Sequence, residues 1–134
     1  MRIDRIDHFV IPCSDVETTA AFYEKVLGGQ LKPYRPGRPA LHFGRCKINF
    51  QPAVIPSGME RPPKRATNPV PGSQDFCFIA AASAAEIVAR VQACGIEIEE
   101  GPVTRNGAAG EMTSVYFRDP DGNLVEIATY GDGG

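Results

Sequence analysis

One order of elements occurs twice in the chain. "RIDHFVIP", residues 5–12, reads as a strand. "SDVETTAAFYEKVLGG" reads as a helix, with Ser14 or Asp15 as N-cap and Gly28-Gly29 as the stop. Ser14 followed three positions on by Glu17 has the pattern of a capping box. Val16, Ala20, Tyr23 and Leu27 fall on one helical face. Strands "QLKPY", "ALHF" and "CKINFQ" follow, the last two joined through Gly44-Arg45. The order then recurs. "DFCFIA" is a strand, and "SAAEIVARVQACG" is a helix with Ala84, Ile87, Val91 and Cys94 on one face. "IEIEE" reads as a short strand and "GPVTRNGAAGE" as a Gly-rich loop. "MTSVYF" and "NLVEIA" close the chain as a hairpin about Asp119-Pro120-Asp121-Gly122. A single offset of 67 carries His8 onto Asp75, Ala20 onto Ile87, Gly28 onto Gly95 and Leu31 onto Ile98. The second half then gains about ten residues, and matching the final strands sets Asn49 against Glu126.

Such a repeat predicts an α+β fold of two βαβββ modules in tandem. At 134 residues the chain has the length of a single domain, 1–134. Module one covers about 1–51, and module two about 73–130. Between them residues 52–72 hold six of the twelve prolines and read as an irregular linker.

Composition removes several classes of function. Hydrophobic residues make up 43% and charged residues 22%, as in soluble globular proteins, and the net charge is −2. No nucleic-acid or anionic-membrane surface is expected from that balance. The basic cluster "ERPPKR", residues 60–65, reads as a solvated loop. No apolar run reaches membrane-spanning length, and Asp4, Asp7 and His8 stand where a signal peptide needs an apolar stretch. Cysteines at 13, 46, 77 and 94 form no C-x-x-C pair, so a reduced, cytoplasmic chain is expected.

Glu126 stands among apolar neighbours in "NLVEIA". Strand alternation allows it to face water while Val125 and Ile127 face a core. Parity allows a second reading. The Phe, Ile and Val residues of the outer strands supply the apolar face that each helix must cover. His8, Asp75, Glu126 and Asn49 then share the other face, which becomes a cleft if the sheets curve. An imidazole and two carboxylates meeting there make a divalent-metal site with positions left open for substrate. The competing reading is a hydrogen-bonded His8 and an Asp75 that only caps its strand.

"RIDHFVIPCSDVETTAAFYEKVLGG" and "SVYFRDPDGNLVEI" resemble the vicinal-oxygen-chelate superfamily, which includes glyoxalase I, fosfomycin-resistance and bleomycin-binding proteins and extradiol dioxygenases. "GSQDFCFI", "ACGIEIEEGPVTRNGAAG" and the closing hairpin are similar to the branch of glyoxalase-domain-containing protein five and bacterial virulence proteins. The resemblance implies a curved mixed sheet around a cleft, with helices on the outer face. It also implies metal ligands from the first and last strands of each module. His8 and Glu126 match ligand positions. Asp75 stands where a second His is usual, and Asn49 stands at the fourth position. The set leaves Mn, Ni, Zn, Mg, Ca or Fe open.

The implied function is a small divalent-metal-dependent lyase or isomerase of glyoxalase type, acting on a small molecule with vicinal oxygens. Glu126 would serve as both ligand and proton shuttle. The alternatives are a metal-free small-molecule binder of the bleomycin-resistance type and an Fe(II) dioxygenase. A homodimer is implied as well. Asn49, Arg105 and Phe117 are the expected substrate-binding residues. Arg105 is expected on a loop able to close over the cleft, and Val115 or Phe117 is expected on the cleft floor by pairing with Glu126. Cys77 is a further lining candidate, with plain packing as its competing role.

Overall fold

The computed structural model of the chain describes residues 1–58 and 64–131. The chain divides into two compact units, Met1–Pro71 and Gly72–Gly134. Each unit is a four-stranded mixed sheet with one helix, in the βαβββ order that the repeat predicts.

In the first unit the elements are β1 (His8–Cys13), α1 (Val16–Leu27), β2 (Gln30–Arg35), β3 (Arg38–Phe43) and β4 (Cys46–Pro52). The sheet order is β1-β4-β3-β2, with β1 and β4 parallel. Asp15, not Ser14, is the N-cap of α1, and its side chain accepts from the Thr18 N–H at 3.1 Å. Gly28 ends the helix at φ 76°, a conformation that a β-carbon disfavours. The helix buries Thr19, Ala20, Tyr23 and Val26, so its apolar face is rotated from the one read off the sequence. Tyr23 meets Phe50 with ring centroids 5.8 Å apart. Ile11, Leu41, Ile48 and Phe50 complete this core at 0% exposure. Burying each such side chain contributes ~1.5–3 kcal/mol.

The second unit holds β5 (Asp75–Ile79), α2 (Ala84–Ala93), β6 (Glu100–Gly107), β7 (Gly110–Arg118) and β8 (Leu124–Thr129). Its order is β5-β8-β7-β6, with β5 and β8 parallel. Ser83 caps α2 by accepting from the Glu86 N–H and donating to the Glu86 carboxylate, each at 3.1 Å. α2 thus carries the Ser-x-x-Glu sequence pattern, with the Glu86 carboxylate on the Ser83 hydroxyl and not on the Ser83 backbone N–H. Ile87 and Val91 lie against a core of Val115, Phe117, Val125 and Ile127.

Two expectations are corrected here. "IEIEE" is not the strand: β6 starts at Glu100 and runs through the stretch read as a Gly-rich loop. Backbone pairing to β7 outweighs the low strand propensity of its glycines. The turn between them is only Ala108-Ala109. Gly107 has no space for a β-carbon, because the Tyr130 hydroxyl and Met112 Sδ occupy it.

The β7–β8 turn is a hydrogen-bonded lock. The Gly122 N–H donates to the Asp119 carbonyl at 3.0 Å. Asp119 Oδ1 accepts from the N–H groups of Asp121 and Asn123, and Oδ2 accepts from Asn123 Nδ2 at 2.7 Å. Fully buried Asn123 in turn accepts from the Gln74 N–H at 2.8 Å. The turn is thereby tied to the residue that precedes β5.

Pro52, the first linker residue, ends β4; beyond it the described linker residues form no helix or strand, and Arg65 bonds back to the carbonyls of Pro52 and Ala53 at 3.0 and 3.2 Å. Residues 60–63 of the basic cluster lie outside the described residues. All four cysteines are free thiols. Among the described residues no helix is long and apolar enough to cross a membrane.

Candidate functional site

Glu126 lies midway along β8, on the sheet face opposite the one α2 covers. Cross-strand register sets Cys77 of β5 on one side of it and Tyr116 of β7 on the other. Ser114, two residues from Tyr116 and on the same face, donates its hydroxyl to Glu126 Oε2 at 2.5 Å. The carboxylate is thus held in place rather than swinging in solvent. Asp75 shares this face one strand away, paired with Leu124, and is exposed.

The electrostatics of the face follow from these neighbours. Burial and then the Glu126 carboxylate push the Cys77 thiol up to about 12. Cys77 is exposed as a residue, so the carboxylate is the firmer of the two causes. Burial pushes the Tyr116 hydroxyl up, and Glu126 adds to this against the pull of Arg105. Arg105 lies on β6, with its guanidinium 5.5 Å from the Tyr116 ring centroid. Its Nη2 is 3.2 Å from Glu100 Oε2, and its Nη1 donates to the Thr104 carbonyl at 2.9 Å.

The expected place of Phe117 is wrong. Phe117 pairs with Val125, is 0% exposed and belongs to the core under α2. The length of the Asp119–Asn123 turn sets Tyr116, not Phe117, opposite Glu126. Val115 is likewise fully buried on the helix side. Arg105 is on a paired strand and not on a closing loop. Sequence reasoning does not single out Tyr116 and Ser114. The turn length is the signal that reveals both.

In the first unit His8 opens β1 opposite Lys47, and Asn49 lies opposite Val10. The His8 Nδ1 is 2.8 Å from Asp7 Oδ2, and this bond holds the Asp7 carboxyl below its usual range. Asn49 is 7% exposed, and its Oδ1 has no hydrogen-bond partner. Beside it on the same face are buried Arg38 and Gln51, with Tyr34 above them, whose hydroxyl reaches the Phe50 carbonyl at 3.2 Å. Lys47 lies over the Tyr34 ring at 5.3 Å from its centroid. A separate cavity of about 590 Å³ opens at the start of α1, among Ser14, Lys32, Arg38 and Pro56, and contains none of the candidate ligands.

The donor chemistry of His8 fits a metal. Its Nδ1 is engaged by the Asp7 carboxylate, which leaves Nε2 as the nitrogen available to an ion. Glu126 and Asp75 supply hard oxygens from adjacent strands. Among the described residues, no three His, Cys, Asp or Glu side chains are gathered to hold an ion. The structure therefore supplies the ligand types and their faces, and shows no assembled triad.

Each unit pairs its first and last strands in parallel, and β8 carries the Glu126 carboxylate on its open face. The chain belongs to the Glyoxalase/Bleomycin resistance protein/Dioxygenase superfamily, whose model matches residues 5–127. It is 49% identical over 130 residues to virulence protein STM3117 of Salmonella typhimurium, covering 97% of this chain and 87% of that one. The crystal structure of that protein superposes with a TM-score of 0.86 over 98% of this chain and 100% of the other. Glyoxalase domain-containing protein RDO1 of Mycosarcoma maydis is 43% identical, covering 98% of this chain and 72% of the relative. Lactoylglutathione lyase from Agrobacterium tumefaciens is 26% identical, with a TM-score of 0.75 and 96% of each chain covered.

Proposed function

We propose that the protein is a divalent-metal-dependent, glyoxalase-like lyase or isomerase acting on a small molecule with vicinal oxygens. His8, Asp75 and Glu126 would hold the ion, and the protein would act as a homodimer. The observation that carries this reading is that two of the three candidate ligands are already oriented: His8 by Asp7 and Glu126 by Ser114. Metal-ligating side chains are usually held by such supporting bonds. Likeness to a lactoylglutathione lyase supports the same reaction class.

A divalent ion held by these residues would supply Lewis-acid chemistry to the substrate oxygens. Glu126 moves a proton at the carbon beside them. Ser114 fixes which carboxylate oxygen faces the substrate. The Tyr116 hydroxyl stays protonated and donates a hydrogen bond at the edge of the site. Arg105 orients a charged end of the substrate, and Asn49 is a further substrate-binding candidate.

A metal-free binding protein is the second reading. It is favoured by the lack of a gathered three-ligand cluster among the described residues.

Elemental analysis after chelation and reloading with Mn, Ni, Zn and Fe separates the two. The expected result is about one ion per chain in wild type, lost in His8→Ala and in Glu126→Ala. Wild-type protein that takes up no metal under any loading rejects the enzyme reading. Light scattering on the same samples reports the dimer.

A further inference from the structure

We propose that the ligand of the second unit's open face carries a carboxylate group, and that Arg105, laid over Tyr116, is its seat. This names the substrate class of the site proposed above and rests on that reading.

The two arginines of this sheet give the argument. Arg118 is saturated: its Nε and Nη2 grip both oxygens of Glu99 at 3.0 and 3.1 Å. That fork-on-fork pairing is the strong form of a guanidinium–carboxylate contact. Arg105 is bound differently. Glu100 approaches it through one oxygen at 3.2 Å, and both side chains are well exposed, at 39% and 56%. Exposed one-point pairs of this kind are weak and readily exchanged. The guanidinium also lies over the Tyr116 ring, 5.5 Å from its centroid, a contact that does not depend on Glu100.

Glu100 also shows what the seat accepts. It is a carboxylate already resting on Arg105, supplied by the chain itself. Position then ties the seat to the site. Tyr116 lies directly opposite Glu126 across β7 and β8, and its ring carries Arg105. A small molecule that reaches Glu126 with vicinal oxygens therefore meets Arg105 across one tyrosine. An anionic end displaces Glu100 there. An uncharged end leaves the internal pair intact and gains nothing.

Titration of succinate at constant ionic strength into chelated protein tests the seat without the metal. The readout is the Arg105 Nε–H resonance by NMR, with the dissociation constant followed by calorimetry. Wild type is expected to show a saturable shift with succinate and none with succinamide. Arg105→Gln should weaken binding at least ~10-fold, as loss of a charge-assisted contact does. Glu100→Gln should tighten it by about 3-fold, because the competing internal carboxylate is gone. Equal binding by Arg105→Gln, binding of succinamide as strong as of succinate, or no gain in Glu100→Gln would each overturn the proposal. Metal content measured on the same variants separates the two readings. Succinate binding without metal uptake rejects the metalloenzyme alone. Metal uptake without succinate binding rejects the carboxylate seat alone.

Discussion

The two units share a backbone plan and divide the chemistry. His8, Val10, Ala40, Arg38 and Asn49 of the first unit hold the strand positions of Asp75, Cys77, Tyr116, Ser114 and Glu126 in the second. On the first unit's open face a buried arginine and two buried amides lie under a tyrosine. On the second unit's open face a carboxylate is held by a serine between a thiol and a tyrosine. The helix-covered faces differ far less, with Ile11, Ile48 and Phe50 on one side and Val115, Val125 and Ile127 on the other. Core positions need only apolar volume, so both copies keep it. Open-face positions carry no such requirement, and there the copies have diverged in charge.

The largest expected effect separates the units at their turns. In both, the residue before the first strand accepts a backbone bond from the last strand: Asp7 from Lys47 at 3.1 Å and Gln74 from Leu124 at 3.0 Å. In the second unit the buried side chain of Asn123 joins that junction. Asn123→Ala leaves the Asp119 carboxylate and the Gln74 N–H without this partner, at a cost of roughly 2–3 kcal/mol. Urea unfolding should show that loss. Amide exchange should quicken at residues 74–77 and stay unchanged at 8–11. Equal quickening in both units would mean that the lock serves the whole chain and that the two junctions do not differ in kind.

How far the sequence reveals this plan depends on the same turn. The order of elements is legible because helix stops and strand alternation are local signals, and parity within each strand sets the faces of His8, Asp75, Asn49 and Glu126. Phe117 is misplaced by that reasoning because parity does not carry across a turn whose length in the ladder is unknown. The Asp119–Asn123 lock decides that length, and the sequence shows only that a turn is there. β6 is displaced because Gly101, Pro102 and Gly107 argue against a strand locally, while β7 supplies its pairing from a distance. The sequence therefore puts Arg105 on a closing loop, and the structure gives it a fixed strand and an aromatic support.

A second, smaller effect probes the charge on the open face. Cys77 is exposed, yet its thiol is held protonated up to about 12 by burial and by Glu126. Labelling with iodoacetamide near neutral pH, read by peptide mass spectrometry, should find it slow to react for an exposed cysteine. Glu126→Gln removes the carboxylate and should raise the rate. Cys46 of the first unit serves as the internal reference, since the substitution leaves its own sheet untouched. A Cys77 rate that ignores Glu126→Gln would show that the two side chains do not sense each other.

The smallest effect concerns the Glu99–Arg118 pair at the far end of β7. In the first unit the corresponding β3 position is His42, opposite Gln30. The Arg118 guanidinium holds the Glu99 carboxyl below its ordinary 4.5. A carboxyl lowered in the folded state stabilises the fold above its unfolded value, and that contribution is lost as pH falls through the folded one. Wild type should therefore show a shallow extra loss of thermal stability as pH falls through and below the ordinary carboxylate range, and Glu99→Gln should remove it. Both side chains are half exposed, at 50% and 51%, so the slope is small and added salt should flatten it further. Arg118→Gln should abolish the same slope, because an arginine keeps its charge throughout this range. If Glu99→Gln and Arg118→Gln leave the acid limb as steep as in wild type, the limb belongs to other carboxylates, and this surface pair orients Arg118 without stabilising the unit.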